Sequence, residues 1–278
     1  MQSKSKYMKK LFFPLLSSVL FFLTACYNQV STGDHGAIDV EVQLKGDSTR
    51  YGLACDGCSD SVIVLLPNEG GDPIKFDIVT AKRNGMVYGS PQIGDALAIV
   101  PNPIDPLEAE MVIDLEQMKG TWTFQVLPKL KPNPTKTEEE ILAGMSDSMK
   151  AALFIPREYG FTLKSYNQAS PVGYVMKANS LEDESPVEYP KVTVYTSWHI
   201  FNGRLYIYKD TIDEQGHRIP QDSVGFDSGS MRYLSADSMA ALFGKKVMQY
   251  HRKKNALEAN KEAQKAEEHN ATMSDNKK

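Results

Sequence analysis

Three cysteines, Cys26, Cys55 and Cys58, carry the most reactive side chains of this chain. The last two stand three positions apart in LACDGCS, Leu53 to Ser59, a spacing that suits thiol redox exchange, half of a metal site, or a clip across a turn. Redox exchange needs the motif at a helix start after a strand, where the helix end lowers a thiol pKa. Here Asp56 and Gly57 lead through Ser59 to Ser61 into another β run, which is the wrong setting. Metal binding needs two more ligands, and no second C-x-x-C or H-x-H follows. A Cys55–Cys58 disulfide is the expectation in an oxidising compartment, with free thiols or an outer ligand as the alternatives. So small a loop gains little from closure, because the effect grows with loop length.

Other catalytic chemistry finds no constellation. The chain contains no G-x-S-x-G elbow, H-E-x-x-H pair, P-loop or G-x-G-x-x-G. His35 and His269 lie near the ends, and His217 reads as a loop residue. His199 follows Trp198 on an expected strand, so one faces in and the other out, and a structural histidine fits better than a base. Carboxylates are scattered, so no acid–base couple stands out. A net charge of -4 without a basic stripe argues against nucleic acid as a partner. The expectation is a non-catalytic chain without metal or cofactor.

The amino end is the strongest signal. Lys4, Lys6, Lys9 and Lys10 precede an apolar run, Leu11 to Leu23, too short to span a membrane and laid out as a secretory signal. Met8 can serve as an alternative start. The run ends in Leu23-Thr24-Ala25-Cys26, which resembles the lipobox of bacterial lipoproteins. That resemblance implies removal of residues 1–25, acylation of Cys26 with chains such as palmitate, and stable anchoring in the cell envelope. The outer membrane is the expected site, with the periplasmic or surface face left open. With Cys26 lipidated, Cys55 and Cys58 have only each other in an exported space.

Residues 26–36 read as a tether. From Ala37 to Asp114 short β runs alternate with turn chemistry: Ala37 to Leu44, Tyr51 to Cys55, Ser61 to Leu66, Ile74 to Ala81, Met86 to Tyr88, Ala96 to Val100 and Met111 to Asp114. The breakers NEGGDP, Asn84-Gly85 and PNPIDP suit tight turns. In the second half, strands are expected at Thr121 to Leu127, Gly160 to Tyr166, Val172 to Lys177, Lys191 to Ile200, Arg204 to Lys209 and Lys246 to His251. An amphipathic helix is expected over Thr137 to Leu153, with Glu138, Glu139 and Glu140 at its positive end. A short helix started by Ser235 is expected within Leu234 to Phe243. Residues 253–278, rich in Ala, Glu and Lys, read as a flexible or helical tail.

Leu115 to Trp122, LEQMKGTW, resembles the opening of lipocalin-like domains, in which a Gly-x-Trp motif starts the first barrel strand. Tyr195 to Ile200 with Gly203 to Ile207 looks like a central hairpin of such barrels. Leu234 to Met239 followed by Tyr250-His251-Arg252 looks like the closing segment of lipocalin-like lipoproteins common in Bacteroidota. The resemblance covers residues 115–252 and implies a small barrel, with Trp122 and Trp198 as candidate ligand-binding residues. Residues 37–114 resemble an oligomer-binding-type (OB-like) barrel, on the strand entry Ile93 to Val100. Six Asp-Ser or Asp-Thr steps, among them Asp47-Ser48-Thr49 and Asp237-Ser238-Met239, resemble the glycan attachment sites of Bacteroidota exported proteins, and Asp-Ser is equally ordinary turn chemistry. Together these features lead us to expect a mainly β, lipid-anchored envelope lipoprotein of two small barrel-like domains. It would bind a small hydrophobic ligand or an envelope protein partner; the alternatives are an assembly subunit of a surface complex and a thiol redox or metal-binding protein using Cys55 and Cys58.

Overall fold

The structure, a computed structural model, describes residues 44–174, 185–210 and 225–254. The signal run, the tether with Cys26, His35, His217, most of the expected strand Ala37 to Leu44 and the tail from Asn255 lie outside the described residues. All described residues belong to one compact unit.

The first sheet comprises β1 (Arg50–Ala54), β2 (Val62–Pro67), β3 (Ile74–Asp77), β4 (Val87–Tyr88), β5 (Ala96–Pro101) and β6 (Ala109–Asp114). Their order is β3-β2-β1-β5-β6-β4, antiparallel except for β4 beside β6. Near-continuous apolar runs such as VIVLLP and ALAIVP follow from burial on both faces. One face, with Leu65, Phe76, Leu97 and Ile99, encloses its own core. The other, with Tyr51, Ala98 and Ile113, joins the core of the second sheet. The ladder is open, with β3 and β4 as edges, which departs from the closed OB-like barrel expected here. A parallel bridge, Asp77 to Glu108, and an Asp77 N–H to Leu107 carbonyl bond of 2.8 Å bring β3 near the start of β6. The expected strand Ile74 to Ala81 stops early because the Asp77 carboxylate accepts the Val79 N–H at 2.8 Å, turning the chain into helix α1 (Val79–Arg83).

The remainder comprises helix α2 (Leu115–Met118), β7 (Gly120–Val126), β8 (Lys129–Leu130), α3 (Glu138–Ala143), α4 (Asp147–Leu153), β9 (Arg157–Leu163), β10 (Ala169–Val172), β11 (Val187–Glu188), β12 (Tyr195–Phe201), β13 (Arg204–Lys209), β14 (Gly225–Leu234), β15 (Ser238–Phe243) and β16 (Lys246–Arg252). Eight of these strands form an antiparallel sheet in the order β10-β9-β7-β16-β15-β14-β13-β12, while β8 pairs with β11. Its edges meet through a Gln168–Ser197 bridge and a Trp198 N–H to Asn167 carbonyl bond of 2.8 Å, so the sheet is a nearly closed barrel.

Two helical expectations change. The run over Thr137 to Leu153 is two short helices separated at Gly144, each with its own cap, Thr137 and Ser146, and neither buries a side chain. Leu234 to Phe243 is a hairpin: the Ser235 hydroxyl accepts the Ser238 N–H at 3.1 Å, and burial alternates through Met239 and Ala241 with period two. A serine that would cap a helix caps a turn here.

Candidate functional site

The barrel has two unlike ends. At the first, α2 leads into Gly120, and Trp122 is fully buried with its indole N–H donating to the Met118 carbonyl at 2.7 Å. Arg252 lies over that ring at 4.3 Å and donates to the carbonyls of Lys119 and Ala236, each at 2.5 Å, and to that of Gln117. Gly120, with φ of 135°, is required because a Cβ there would lie 2.1 Å from the guanidinium. Trp198, also buried, donates its indole N–H to the Lys164 carbonyl at 2.9 Å. Trp122 and Trp198, the residues singled out for ligand binding, thus share this end with Leu205, Met231 and Met239, and side chains fill it.

The first sheet seats on the same end. The phenol of Tyr51 donates to the Ile200 carbonyl at 2.5 Å, and that of Tyr88 to the Met231 carbonyl at 2.9 Å. Asp47 binds the Tyr51 hydroxyl at 2.7 Å and stands 3.8 Å from His199, whose Nε2 is 3.4 Å from the same hydroxyl. Burial would raise the Asp47 carboxyl, but hydrogen bonds from Thr49, Asn202 and Tyr51 outweigh it and hold the pKa low. Asp47, Tyr51 and His199, which have the composition of an acid–base couple, are all buried between the sheets.

At the opposite end, where β13 ends and β14 begins, the inward positions become half-buried and polar. Leu205, Ile207 and Lys209 succeed one another on the inner face of β13, as do Asp227, Gly229 and Met231 on β14. Lys209 pairs with Asp227 at 2.5 Å, and the Tyr195 phenol donates to the same carboxylate at 3.0 Å. Phe161 packs edge-on to Tyr195 at 5.9 Å and against Tyr250 at 5.1 Å, and Phe124 meets Tyr250 edge-on at 5.5 Å. Burial, then the charge of Asp227, pushes the phenols of Tyr195 and Tyr250 well above their ordinary range, so both remain protonated donors. Tyr250 is only 5% exposed and packs its ring between those of Phe124 and Phe161. This end of the barrel therefore presents an aromatic wall with a polar focus at half-buried positions. These residues were not singled out from sequence; the signal was a charged residue at an inward strand position, Lys209 after Leu205 and Ile207.

Cys55 and Cys58 occupy the β1–β2 turn around Gly57, whose φ is 92°. They are free thiols in this structure, not the expected disulfide. Cys55 donates to the Leu53 carbonyl at 3.8 Å, and Cys58 accepts the Val64 N–H at 3.3 Å. Cys58 lines a hollow of about 310 Å³ with Asp60, Lys82 and Ser90. Among the described residues no cluster of His, Cys, Asp and Glu could hold a metal ion, and no helix is long and apolar enough to cross a membrane.

No family model and no curated protein matches the chain. Among solved structures, a lipocalin-like protein from Bacteroides thetaiotaomicron VPI-5482 is 17% identical, with a TM-score of 0.26, over 49% of this chain and 95% of that one. A likeness that distant carries no functional argument, and the barrel described above rests on its own hydrogen bonding.

Proposed function

We propose that the chain is a non-catalytic binding protein that holds a small, largely hydrophobic ligand at the open end of the barrel and is tethered to the envelope by lipid on Cys26. The observation that carries the binding role is the Tyr195–Asp227–Lys209 group at half-buried inward positions, beside the rings of Phe124, Phe161 and Tyr250. The commitment of Asp47, Tyr51 and His199 to the sheet interface supports the non-catalytic reading. The lipid anchor rests on the lipobox resemblance at Leu23 to Cys26, and mass spectrometry of the amino-terminal peptide with and without Cys26→Ser tests it.

Native mass spectrometry and titration with the neutral probe N-phenyl-1-naphthylamine test the ligand site. A co-purified small molecule, or saturable one-to-one probe binding weakened about tenfold by Met248→Arg at the open end, is the expected result. An empty barrel that binds no probe and is recovered with a protein partner would favour an assembly subunit instead. That second reading is supported by α3 and α4, which bury nothing, and by exposed Leu127, Met149 and Ile155 around them.

A further inference from the structure

A second concave surface lies where β9 and β10 begin to diverge from the barrel end. It is a groove of about 390 Å³ lined by Pro156, Arg157, Glu158, Val172, Tyr174 and Lys253, among others. Arg157 stacks its guanidinium over Tyr174 at 4.6 Å, with the Tyr189 ring at 5.9 Å. The two rings are 5.0 Å apart, so they brace the cation from one side. A guanidinium donates in its own plane, and stacking leaves that edge free. Among the described residues no carboxylate or carbonyl accepts from Arg157, and its Nε is buried without a hydrogen-bond partner. Lys253 differs, because Glu158 pairs with it at 2.5 Å. Arg157 and Lys253 against Glu158 leave the groove with one net positive charge.

We propose that this groove is a binding site for a small organic monocarboxylate, its carboxylate on the Arg157 fork and its apolar part against Pro156, Val172 and Tyr174. The planar fork matches a carboxylate with two parallel hydrogen bonds. One net positive charge suits a monoanion and leaves the phosphate dianion overcharged. The two tyrosines hold the cation in place beforehand, which lowers the ordering cost of binding.

The test is a titration of the purified protein with benzoate, followed by NMR on the Arg157 Nε–H resonance in the wild type and on the Glu158 and Val172 backbone amides in wild type and variants, with inorganic phosphate in parallel. The expected result is a saturable benzoate shift, affinity at least tenfold weaker for phosphate, at least tenfold weaker benzoate binding in Arg157→Lys, and none in Arg157→Met. Arg157→Lys keeps the charge and removes the fork, and the wild-type resonance reads the site without any variant. No saturable shift, unchanged benzoate affinity in Arg157→Lys, or phosphate binding as tightly as benzoate would overturn the assignment.

Discussion

Replacing Arg252 with alanine tests the closed end of the barrel directly. The guanidinium covers the face of Trp122 at 4.3 Å and donates to three backbone carbonyls, those of Gln117, Lys119 and Ala236. Those carbonyls belong to α2 and its C-cap, just before β7, and to the β14–β15 turn, so one side chain ties the entry to the first barrel strand to a hairpin over 100 residues away in sequence. A partly desolvated cation–π contact is worth about 1–2 kcal/mol, and bonds from a charged donor about 1.5–3 kcal/mol each before water re-enters the gap. Water can satisfy the more exposed Ala236 carbonyl, so the net loss expected is about 3–5 kcal/mol, a large part of the 5–15 kcal/mol typical of a whole domain. The assay is urea unfolding followed by tryptophan fluorescence, where a loss of that size moves the midpoint by about 2 M. Arg252→Lys keeps the charge but replaces the planar fork with a point donor, and less than half of the loss should return. A midpoint for Arg252→Ala within about 0.5 M of wild type would refute the reasoning, because it would mean that the guanidinium is dispensable to the stopper.

Burial, reinforced by the charges of Asp95 and Glu116, pushes the Asp114 carboxyl up to about 6 from 3.8. The folded state therefore holds the proton where the unfolded state has released it, and stability should fall as pH rises from about 4 to about 6, by about 2 kcal/mol. Asp114→Asn keeps an acceptor for the Gln117 N–H at the α2 cap. Thermal melts should show the variant more stable than wild type at pH 7.5 and no more stable at pH 4; equal stabilities at both would sink this account. For the cysteines, whose thiols address different carbonyl regions of the β1–β2 turn, denatured protein carrying Cys26→Ser should titrate two thiols without reductant. A count of zero that rises to two on reduction would show that the pair is bonded in the purified protein.

The parts of the fold legible in the sequence are those decided locally. Val62 to Pro67 and Ala96 to Pro101 are apolar at nearly every position because both faces of the first sheet are buried, and such runs announce themselves. The Asn202-Gly203 turn is equally plain, with Asn202 at φ 47° and Gly203 at φ 72°. What the sequence hid depends on partners far along the chain. Ser235 caps a turn instead of a helix because β14 and β15 need pairing partners, a choice that propensity cannot make. The open end escaped notice because Asp227 and Lys209 are ordinary charged residues until the β13–β14 register places Ile207 against Asp227 and turns both charges toward one axis. Trp122 and Trp198 were candidate ligand-binding residues through the lipocalin-like resemblance, and in this small barrel both serve as buried filling.

The two ends of the barrel also divide the consequences of substitution. Tyr51 and Tyr88 reach from the first sheet to the carbonyls of Ile200 and Met231, so that sheet acts as a stopper whose bonds land on the backbone and do not depend on barrel side chains. A ligand entering there would have to break those bonds and displace Trp122, Trp198 and Met239, all buried to 1% exposure or less. Entry from the other end meets first the half-buried Phe124, Tyr195 and Met248, with the buried Tyr250 and Phe161 behind them. Substitutions around Trp122 should therefore act on stability and leave intrinsic binding unchanged in the folded fraction, while substitutions around Tyr250 should act on binding first. On the proposed binding role, the first sheet would act without a site of its own: by sealing one mouth it would fix which end of the barrel a ligand meets.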